Sequence, residues 1–219
     1  MTTPTPAGDS TSTARARRRT RANGEQSRER ILDAATAVAT ERGYDGTTIS
    51  LVSTKSGLPP TSIYWHFTDK DDLIAAVIER SYERWFAALE LPGGEAAQAL
   101  AIELGAHLAK AFLDAPDFLR LGLMLLLEHR PVEPQAREMF LQVRENAFQR
   151  FAQIVRDVAP ELDEENVRLL TTYAIAGADG LFIAKEVGGD SVDLTKLFDL
   201  HTRVIFESAV RLLQSGEEA

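Results

Sequence analysis

The sequence predicts an all-α protein with a small N-terminal helical domain and a larger C-terminal helical domain. Apolar residues recur three and four positions apart in most segments between residues 27 and 213, which is the spacing of one helix face. Glycine or proline separates these segments, as at Gly57, Pro116 and Pro160, because both residues readily end helices. The strongest break, Leu91–Gly94, predicts a boundary between domains at residues 25–90 and 95–215.

The composition excludes several classes of protein. The chain has 219 residues, 44% of them hydrophobic, and no cysteine, so it carries no disulfide framework, thiolate zinc site or cysteine nucleophile. The N-terminal segment lacks an apolar signal core. The longest apolar run, Leu121–Leu127, has seven residues, far below the roughly 18 of a membrane helix. We expect a cytoplasmic protein with no membrane contact.

The charge is distributed unevenly along the chain. The net charge of −9 argues at first against a nucleic-acid partner. However, residues 1–70 hold ten Lys or Arg and seven Asp or Glu, whereas residues 71–219 hold 14 Lys or Arg and 26 Asp or Glu. A basic face governs attraction to phosphate even in an acidic protein. The N-terminal third is therefore the candidate for nucleic-acid binding.

The stretch TTISLVSTKSGLPPTSIYWHFTDK, residues 47–70, predicts two short helices joined at a glycine, with a third helix starting directly after them. Ile63 and Phe67 lie four apart on one helix face. Gly57 stands between the two short helices, where a sharp turn needs a positive φ. A helical hairpin that packs on a small core would show the same features.

The second short helix exposes an unusual set of side chains. A helix that only packs would carry Leu or Ala, whereas this one carries hydroxyl and aromatic groups suited to base edges and phosphates: Thr61, Ser62, Tyr64, Trp65 and His66. It has no Arg, Asn or Gln, so strong bidentate base contacts are absent. We expect DNA shape and methyl contacts to share in any sequence recognition.

The segment GLPPTSIYWHFTDKDDL resembles the helix-turn-helix of the tetracycline-repressor (TetR) family of bacterial regulators. The resemblance rests on Gly57-Leu58, Tyr64-Trp65-His66-Phe67, Lys70 and Asp72-Leu73, and it covers roughly Ser27 to Leu89. It implies a transcriptional regulator, most often a repressor, that binds a palindromic operator in double-stranded DNA as a homodimer. It also implies release from DNA by a small apolar effector.

The resemblance and the residue types together give a set of expected DNA contacts. The double proline departs from the family pattern, so Pro60 can only touch a thymine methyl or set the angle of the helix. Thr47 and Thr48, before the first short helix, also serve as N-caps. For Trp65 and His66, at the end of the second short helix, the alternative is that they support the corner to the next helix. The expected residues are Thr47, Thr48, Pro60, Thr61, Ser62, Tyr64, Trp65, His66 and Lys70.

Residues 1–24 predict a disordered basic arm. They contain almost no large apolar residues, so burial cannot offset the entropy of ordering them. Two interpretations remain open: a solubilising tail, or an arm that lies on DNA. The first helix is expected over Ser27–Arg42, with Ser27 as N-cap and Gly43 as its end, and Thr68 or Asp69 is expected to cap helix four.

The C-terminal segments predict five more helices, at about 95–115, 118–129, 136–158, 164–188 and 194–213. The second of these is apolar on nearly all faces and is expected to be buried. Small residues at Ala174, Gly177, Ala178 and Gly180 predict close approach by another helix. By resemblance, 164–188 and 194–213 form the homodimer interface; the alternative is that their apolar faces are buried within one protomer.

By resemblance, the C-terminal helices enclose an apolar effector pocket, whose candidate residues are polar, aromatic or methionine side chains. Each candidate has a structural alternative, because a histidine or aromatic residue among apolar neighbours is commonly part of the core. The candidates are His107, Met124, Glu128, Phe148 and Tyr173, with His129 and Asp179 also considered. A carboxylate in a Gly/Ala-rich helix such as that of Asp179 needs a partner if it is buried.

Other functions are less well supported by the sequence. An enzyme is improbable because no nucleophile elbow or phosphate loop occurs, and the histidines at 66, 107, 129 and 201 lack metal-ligand spacing. We expect no cofactor and no bound metal. The main alternative is a DNA-binding protein of the same fold that is controlled by a protein partner, or that has no ligand.

Overall fold

A computed structural model describes the backbone of residues 10–88, 97–128 and 134–217, and side chains over 22–87, 104–128 and 134–214. Within these ranges the regular structure is helical. The helices are α1 Ser10–Gly46, α2 Ile49–Ser56, α3 Pro60–His66, α4 Lys70–Ala88, α5 Ala97–Asp114, α6 Asp117–Leu127, α7 Gln135–Val158, α8 Glu164–Gly188 and α9 Leu194–Glu217. The expected all-α fold is confirmed.

The chain divides into two compact units, Met1–Val77 and Ile78–Ala219. The division falls inside α4, which therefore contributes residues to both units. The boundary expected from the sequence, at Leu91–Gly94, lies outside the described residues.

Helix α1 is longer than the sequence predicts. It begins at Ser10, so the segment expected to be a disordered arm is helical from that point; its alanines and arginines are strong helix formers. Residues 1–9 lie outside the described part. Ser27 is not the N-cap: it lies within α1, and its hydroxyl donates a hydrogen bond of 3.3 Å to the Gly24 carbonyl.

The N-terminal unit is built around the apolar face of α1. Gly43 interrupts this helix with φ 71° and ψ −178°, a conformation that favours glycine, so the expected end at this residue is confirmed. The residues expected on the inner face are all buried: Ile31, Ala34, Ala35, Val38 and Ala39. They pack with α2 and α3.

Reciprocal capping fixes the start of α4. The Asp69 carboxylate accepts from the Asp72 backbone N–H at 2.9 Å, and the Asp72 carboxylate accepts from the Thr68 N–H at 2.8 Å. This arrangement is close to a capping box. Of the two expected caps, Asp69 is the residue whose side chain fills the role.

An aromatic core fills the C-terminal unit. Trp85 and Phe112 have ring centroids 5.4 Å apart, and Phe112 stacks on Phe198 at 5.4 Å. A Cβ at Gly177 would lie 2.2 Å from His201 Cε1, so the close approach predicted for the small residues of α8 is confirmed there. Gly180, in contrast, has open space beside it.

Helix α6 is less buried than its sequence predicts. Phe118, Leu119, Leu121 and Leu125 are buried, but Leu127 is 76% exposed. The helix is therefore buried along one side and not on all faces. Arg120 ties α6 to α8, since its Nε and Nη2 donate to the Glu186 carboxylate at 2.9 and 2.8 Å.

The segment Glu164–Ser191, which covers α8, contains an 18-residue window with a mean hydropathy of 1.3 and is long and apolar enough to cross a membrane by length and composition alone. The sequence had predicted no helix of this kind. Within α8, Asp179 and Glu186 form ion pairs with arginines of α7 and α6. Helix α8 therefore combines an apolar composition with ion pairs to two neighbouring helices.

Candidate nucleic-acid interface and ligand cavity

Helix α3 buries one face and exposes the other. Ile63 is fully buried and Phe67 is 3% exposed, whereas Tyr64 and Trp65 are 56% and 76% exposed. Pro60 occupies the first turn, where its missing N–H removes no intrahelical bond. The exposed face therefore presents a phenol and an indole that the core does not use.

The N-terminal half of α3 adds hydroxyl groups to this surface. Thr61 is exposed and Ser62 is half-buried. Both lie at a shallow depression that Ser27, Trp65 and His66 complete. Serine and threonine hydroxyls donate and accept hydrogen bonds, so this surface can meet either base edges or phosphate oxygens.

The turn before α3 is held by Gly57 and Arg30. Gly57 has φ 67° and ψ 22°, and its N–H donates to the Ser53 carbonyl at 3.0 Å. Arg30 Nη2 donates to the Ser56 carbonyl at 2.7 Å, where the negative end of the α2 dipole favours a cation. The role of Arg30 was not predicted from the sequence, because helical spacing does not show which distant carbonyl a side chain reaches.

The two threonines before α2 have different roles. Thr48 is exposed and caps α2, since its Oγ1 accepts from the Leu51 N–H at 3.2 Å. Thr47 is 1% exposed, and its hydroxyl donates to the Gly43 carbonyl at 2.7 Å. Thr47 is therefore not available at the surface, which corrects its expected contact with DNA.

Lys70 does not extend freely into solvent. Its Nζ lies 4.1 Å from the centre of the Tyr44 ring and donates to the Tyr44 carbonyl at 3.2 Å. The Tyr44 hydroxyl in turn donates to Asp71 Oδ1 at 3.1 Å. The ammonium keeps further N–H donors, so its expected contact with phosphate stays a prediction, made from a fixed position.

His66 lies at the corner between α3 and α4. Its Nε2 is 3.0 Å from the Ser27 hydroxyl, and its ring meets that of Trp65 edge-on with centroids 4.7 Å apart. Burial lowers the pKa of His66, and the positive charge of Arg28 lowers it further. These contacts favour the structural alternative for His66, a neutral side chain that joins α3 to α1.

The C-terminal unit contains a partly open apolar cavity of about 120 Å³. Aromatic and aliphatic side chains from α4 to α9 form most of its wall. The polar residues among those that line it are Trp85, Arg144, Thr171, Asp179, His201 and Thr202.

None of the five expected pocket residues lines this cavity: His107, Met124, Glu128, Phe148 and Tyr173. Tyr173 is 52% exposed on α8. On α7 the lining residues include Arg144, Ala147 and Phe151, and Phe148 lies one position off that face. The expected residues were selected by chemistry, whereas helix orientation decides the lining, so their contact with an effector stays a prediction that this cavity does not support. His129 lies outside the described residues.

Asp179 lines the cavity and has the partner that its burial requires. Arg144 Nη1 and Nη2 donate to the two Asp179 carboxylate oxygens at 2.8 and 2.7 Å. The side chains are 28% and 21% exposed. This bidentate pair joins α7 to α8 and leaves that part of the wall with no net charge.

Residues 31–77 match the family of bacterial regulatory proteins described as the tetR family, and they contain the helix-turn-helix described above. Residues 31–77 of this chain are therefore a TetR-family domain. The helix-turn-helix of that family binds DNA.

Comparison with individual TetR-family proteins supports this assignment. The transcriptional regulator SrpR of Pseudomonas putida is 36% identical over 57 residues, which is 26% of this chain and 27% of SrpR. The repressor Rv1353c of Mycobacterium tuberculosis is 27% identical over 129 residues, 58% of this chain and 48% of that protein. The chain thus matches about a quarter to a half of these relatives' length.

Solved structures share the fold over most of the chain. The SmeT–triclosan complex has a TM-score of 0.67 at 21% identity and covers 84% of this chain and 91% of SmeT. A transcriptional regulator of Aquifex aeolicus has a TM-score of 0.65 at 20% identity and covers 82% and 97%. At these identities the likeness shows the fold alone.

Outside the matched domain, α8 carries an exposed stripe, here called the α8 stripe. Its members are alternately four and three positions apart, as in a helix seam, and all are exposed: Leu169, Tyr173, Ala176, Gly180, Ile183 and Val187. Val187 is 85% exposed. On α9, Leu200 and Val204 are exposed as well.

Proposed function

We propose that this chain is a transcriptional repressor that binds a two-fold symmetric operator as a homodimer and is released by a small apolar effector. The observation that carries the proposal is helix α3, which exposes Tyr64 and Trp65 beside the hydroxyls of Thr61 and Ser62. The core does not use these groups, and a turn fixed by Gly57 presents them.

The DNA contacts follow from exposure and chemistry. Thr61 and Ser62 meet base edges, and the Tyr64 hydroxyl donates to phosphate. Thr48 and the free N–H groups at the start of α2 favour a second phosphate, because the helix dipole is positive there. Direct base readout by this set is limited, so the sequence-dependent shape of the operator contributes to specificity.

Dimerisation supplies a second recognition helix. Two recognition helices must enter successive major grooves about 34 Å apart. The α8 stripe and the exposed apolar residues of α9 support a homodimer through 164–188 and 194–213. The open space beside Gly180 lets a second helix approach closely at the middle of the stripe.

The effector acts through a shift between two states of the dimer. One state holds the two recognition helices at a spacing that fits successive major grooves of DNA, and the other state does not. An effector weakens DNA binding only by its difference in affinity for the two states. Trp85 lines the cavity and belongs to α4, the helix that begins in the N-terminal unit, so the chain itself offers a route for this coupling.

The cavity also bears on the alternative function, in which a protein partner and not a small effector controls DNA binding. A DNA-binding protein of this fold that is controlled by a protein partner needs no internal space, so an apolar cavity of about 120 Å³ favours the effector-controlled function. The homologues are named as transcriptional regulators, and a regulator of bacterial genes works in the cytoplasm.

The test is selection of bound fragments from a random DNA pool at about 0.15 M salt, followed by titration of the recovered site. We expect a two-fold symmetric consensus. Thr61→Ala/Ser62→Ala should relax its sequence preference in part, and Tyr64→Phe should weaken binding to all sites by at least tenfold, because a lost hydrogen bond to a charged group costs about 1.5–3 kcal/mol. Leu127→Ala, at an exposed residue of the other unit, is the matched control. Failure to recover a consensus would refute the proposed function.

A further inference from the structure

We propose that Ser27 of α1 contacts DNA, with its hydroxyl donating to a backbone phosphate oxygen while it accepts a hydrogen bond from the Nε2–H of His66. The inference rests on the proposed function, since it takes the exposed face of α3 to lie in the major groove. It adds a residue of a second helix to that interface.

Ser27 lies at the flank of the surface that α3 presents. The shallow depression beside α3 is lined by Thr61, Ser62, Trp65 and His66 and, from α1, by Ser27. Thr61 and Trp65 are exposed, and Ser27 is half-buried. A helix in the major groove has the sugar-phosphate backbone on either side of it. A polar depression along the flank of α3 is therefore well placed to receive a phosphate.

The Ser27 hydroxyl takes part in two contacts but has one hydrogen. It donates to the Gly24 carbonyl at 3.3 Å, and its Oγ lies 3.0 Å from His66 Nε2. A carbonyl only accepts, so both contacts are satisfied together when Nε2 carries the hydrogen and donates to Ser27. The contact with Gly24 is longer than the roughly 2.5–3.0 Å of a good hydroxyl donor. The hydroxyl can therefore turn to a stronger acceptor at little cost.

A phosphate oxygen is a stronger acceptor than the Gly24 carbonyl, because hydrogen bonds to an ionised partner are shorter and stronger than those between neutral groups. A hydroxyl that accepts from His66 is also polarised toward donation, since hydrogen bonds in a chain strengthen one another. His66 thus contributes to DNA binding through Ser27, although it is held at the corner between α3 and α4.

The charges around Ser27 favour an anion. Besides burial, the positive charge of Arg28 lowers the pKa of the histidine in the depression. Arg30, three positions after Ser27 and on the same side of α1, is held at the turn before α3 by its bond to the Ser56 carbonyl. A phosphate at Ser27 would therefore lie near two guanidinium groups.

The carboxylates of α1 nearest in sequence to Ser27 lie on another side of the helix. Glu25 and Glu29 are each two positions from Ser27, which corresponds to a rotation of about 200° around a helix of 3.6 residues per turn. They therefore do not share the face that Ser27 turns toward His66.

The first measurement is the tautomer of His66 in the full chain without DNA. Long-range ¹H–¹⁵N NMR spectra distinguish an Nε2–H imidazole from an Nδ1–H imidazole, and His66→Gln assigns the ring among the four histidines. At about pH 7.5, one unit above the ordinary histidine pKa, we expect the Nε2–H form. The Nδ1–H form would overturn the inference.

The second measurement uses the selected operator with single methylphosphonates, each of which replaces one charged phosphate oxygen by a methyl group. In wild type, we expect one position in each half-site at which this change weakens binding by at least about tenfold. Ser27→Ala should weaken binding to the unmodified operator by a similar factor. It should lose most of its sensitivity at that one position and keep wild-type sensitivity at the other phosphates.

Two further variants separate a contact with phosphate from an effect on folding. Ser27→Thr keeps the hydroxyl and should retain the wild-type pattern of sensitivity. Thr36→Val removes another half-buried hydroxyl of α1, which donates to the Leu32 carbonyl at 2.8 Å, and should leave the pattern unchanged. Alanine is a strong helix former, so Ser27→Ala is expected to preserve α1.

Failure of this inference and failure of the proposed function are distinguishable. If an operator is selected but wild type and Ser27→Ala respond equally to every methylphosphonate, Ser27 is a structural residue and the proposed function stands. If no operator is selected, the proposed function is refuted and the Ser27 contact is refuted with it.

Discussion

Arg144 on α7 and Asp179 on α8 are joined by two hydrogen bonds of 2.8 and 2.7 Å at the wall of the apolar cavity. The pair is only partly exposed, at 28% and 21% of the side chains. It therefore combines two properties: it links two helices, and it removes net charge from the site where an apolar ligand would bind.

Loss of either partner should destabilise the chain. Arg144→Ala or Asp179→Ala each leaves one charge without its partner, which costs about 3–5 kcal/mol in a fully buried pair; partial exposure here reduces the expectation to about 1–3 kcal/mol. Urea unfolding at one fixed protomer concentration measures the change. The double variant gives the coupling energy, expected near 1 kcal/mol or above.

An exposed comparison exists on α9, where Arg203 and Asp199 form a pair with one side-chain hydrogen bond of 2.8 Å within the helix and are 65% and 55% exposed. The same double-mutant cycle there should give about 0.3–0.5 kcal/mol. Equal coupling energies at the two sites would contradict the importance that we give to burial.

The α8 stripe should control assembly. Ile183→Asp introduces a carboxylate on each side of the proposed interface, so the protein should sediment as a monomer at micromolar concentration and bind operator at least tenfold more weakly. Leu127→Asp, which replaces a 76% exposed leucine on α6, is the matched control and should stay dimeric. Analytical ultracentrifugation decides between them, and a monomeric wild type would refute the interface.

His66 should make the stability of the N-terminal unit depend on pH. Its folded-state pKa is lowered by burial, and further by Arg28, from an ordinary value of 6.5. The unfolded chain therefore binds more protons, so the contribution of neutral His66 is complete above about pH 6.5 and is lost as the pH falls through the lower folded-state pKa.

Two measurements check this sign. An NMR titration of the His66 ring should give a midpoint below 6.5, and a midpoint above that value would be inconsistent with the prediction. The unfolding free energy of wild type should decrease more steeply between about pH 6.5 and pH 5 than that of His66→Gln, with the ordinary histidine pKa as the reference.

The N-terminal arginines should appear in the salt dependence of DNA binding. Each phosphate neutralised contributes about −0.9 to the slope of log K against log salt. Residues 10–21 carry five arginines, so deletion of residues 1–21 should reduce the slope by about 1–4 per protomer. Deletion of residues 1–9, which contain no arginine or lysine, is the control. Identical slopes for the two truncations would favour a solubilising tail.

Local interactions explain why parts of the fold could be predicted. Gly57 adopts the positive φ expected of it, Gly43 ends the regular part of α1, and α8 runs from Glu164 to Gly188 as its sequence pattern indicates. Caps, glycine conformations and helical spacing depend on residues within a few positions of one another. The helix-turn-helix could be recognised for the same reason.

Expectations failed where a residue's role depends on distant neighbours. Ser27 looked like an N-cap but contacts His66, 39 positions away. Thr47 and Thr48 look alike in the sequence, yet one is buried and the other is exposed. Among the pocket candidates, chemistry favoured Phe148, whereas the cavity is lined by Ala147 and Phe151.

By itself the sequence determined the helices and several of their ends, the helix-turn-helix motif and the surplus of polar and aromatic groups on α3, because these follow from short-range geometry and side-chain chemistry. Only the tertiary structure decided that Arg144 meets Asp179, that Thr47 is unavailable at the surface and that the indole N–H of Trp85 is buried without a partner in the described part of the chain. Those facts depend on how helices far apart in the chain pack together, which helical periodicity does not specify.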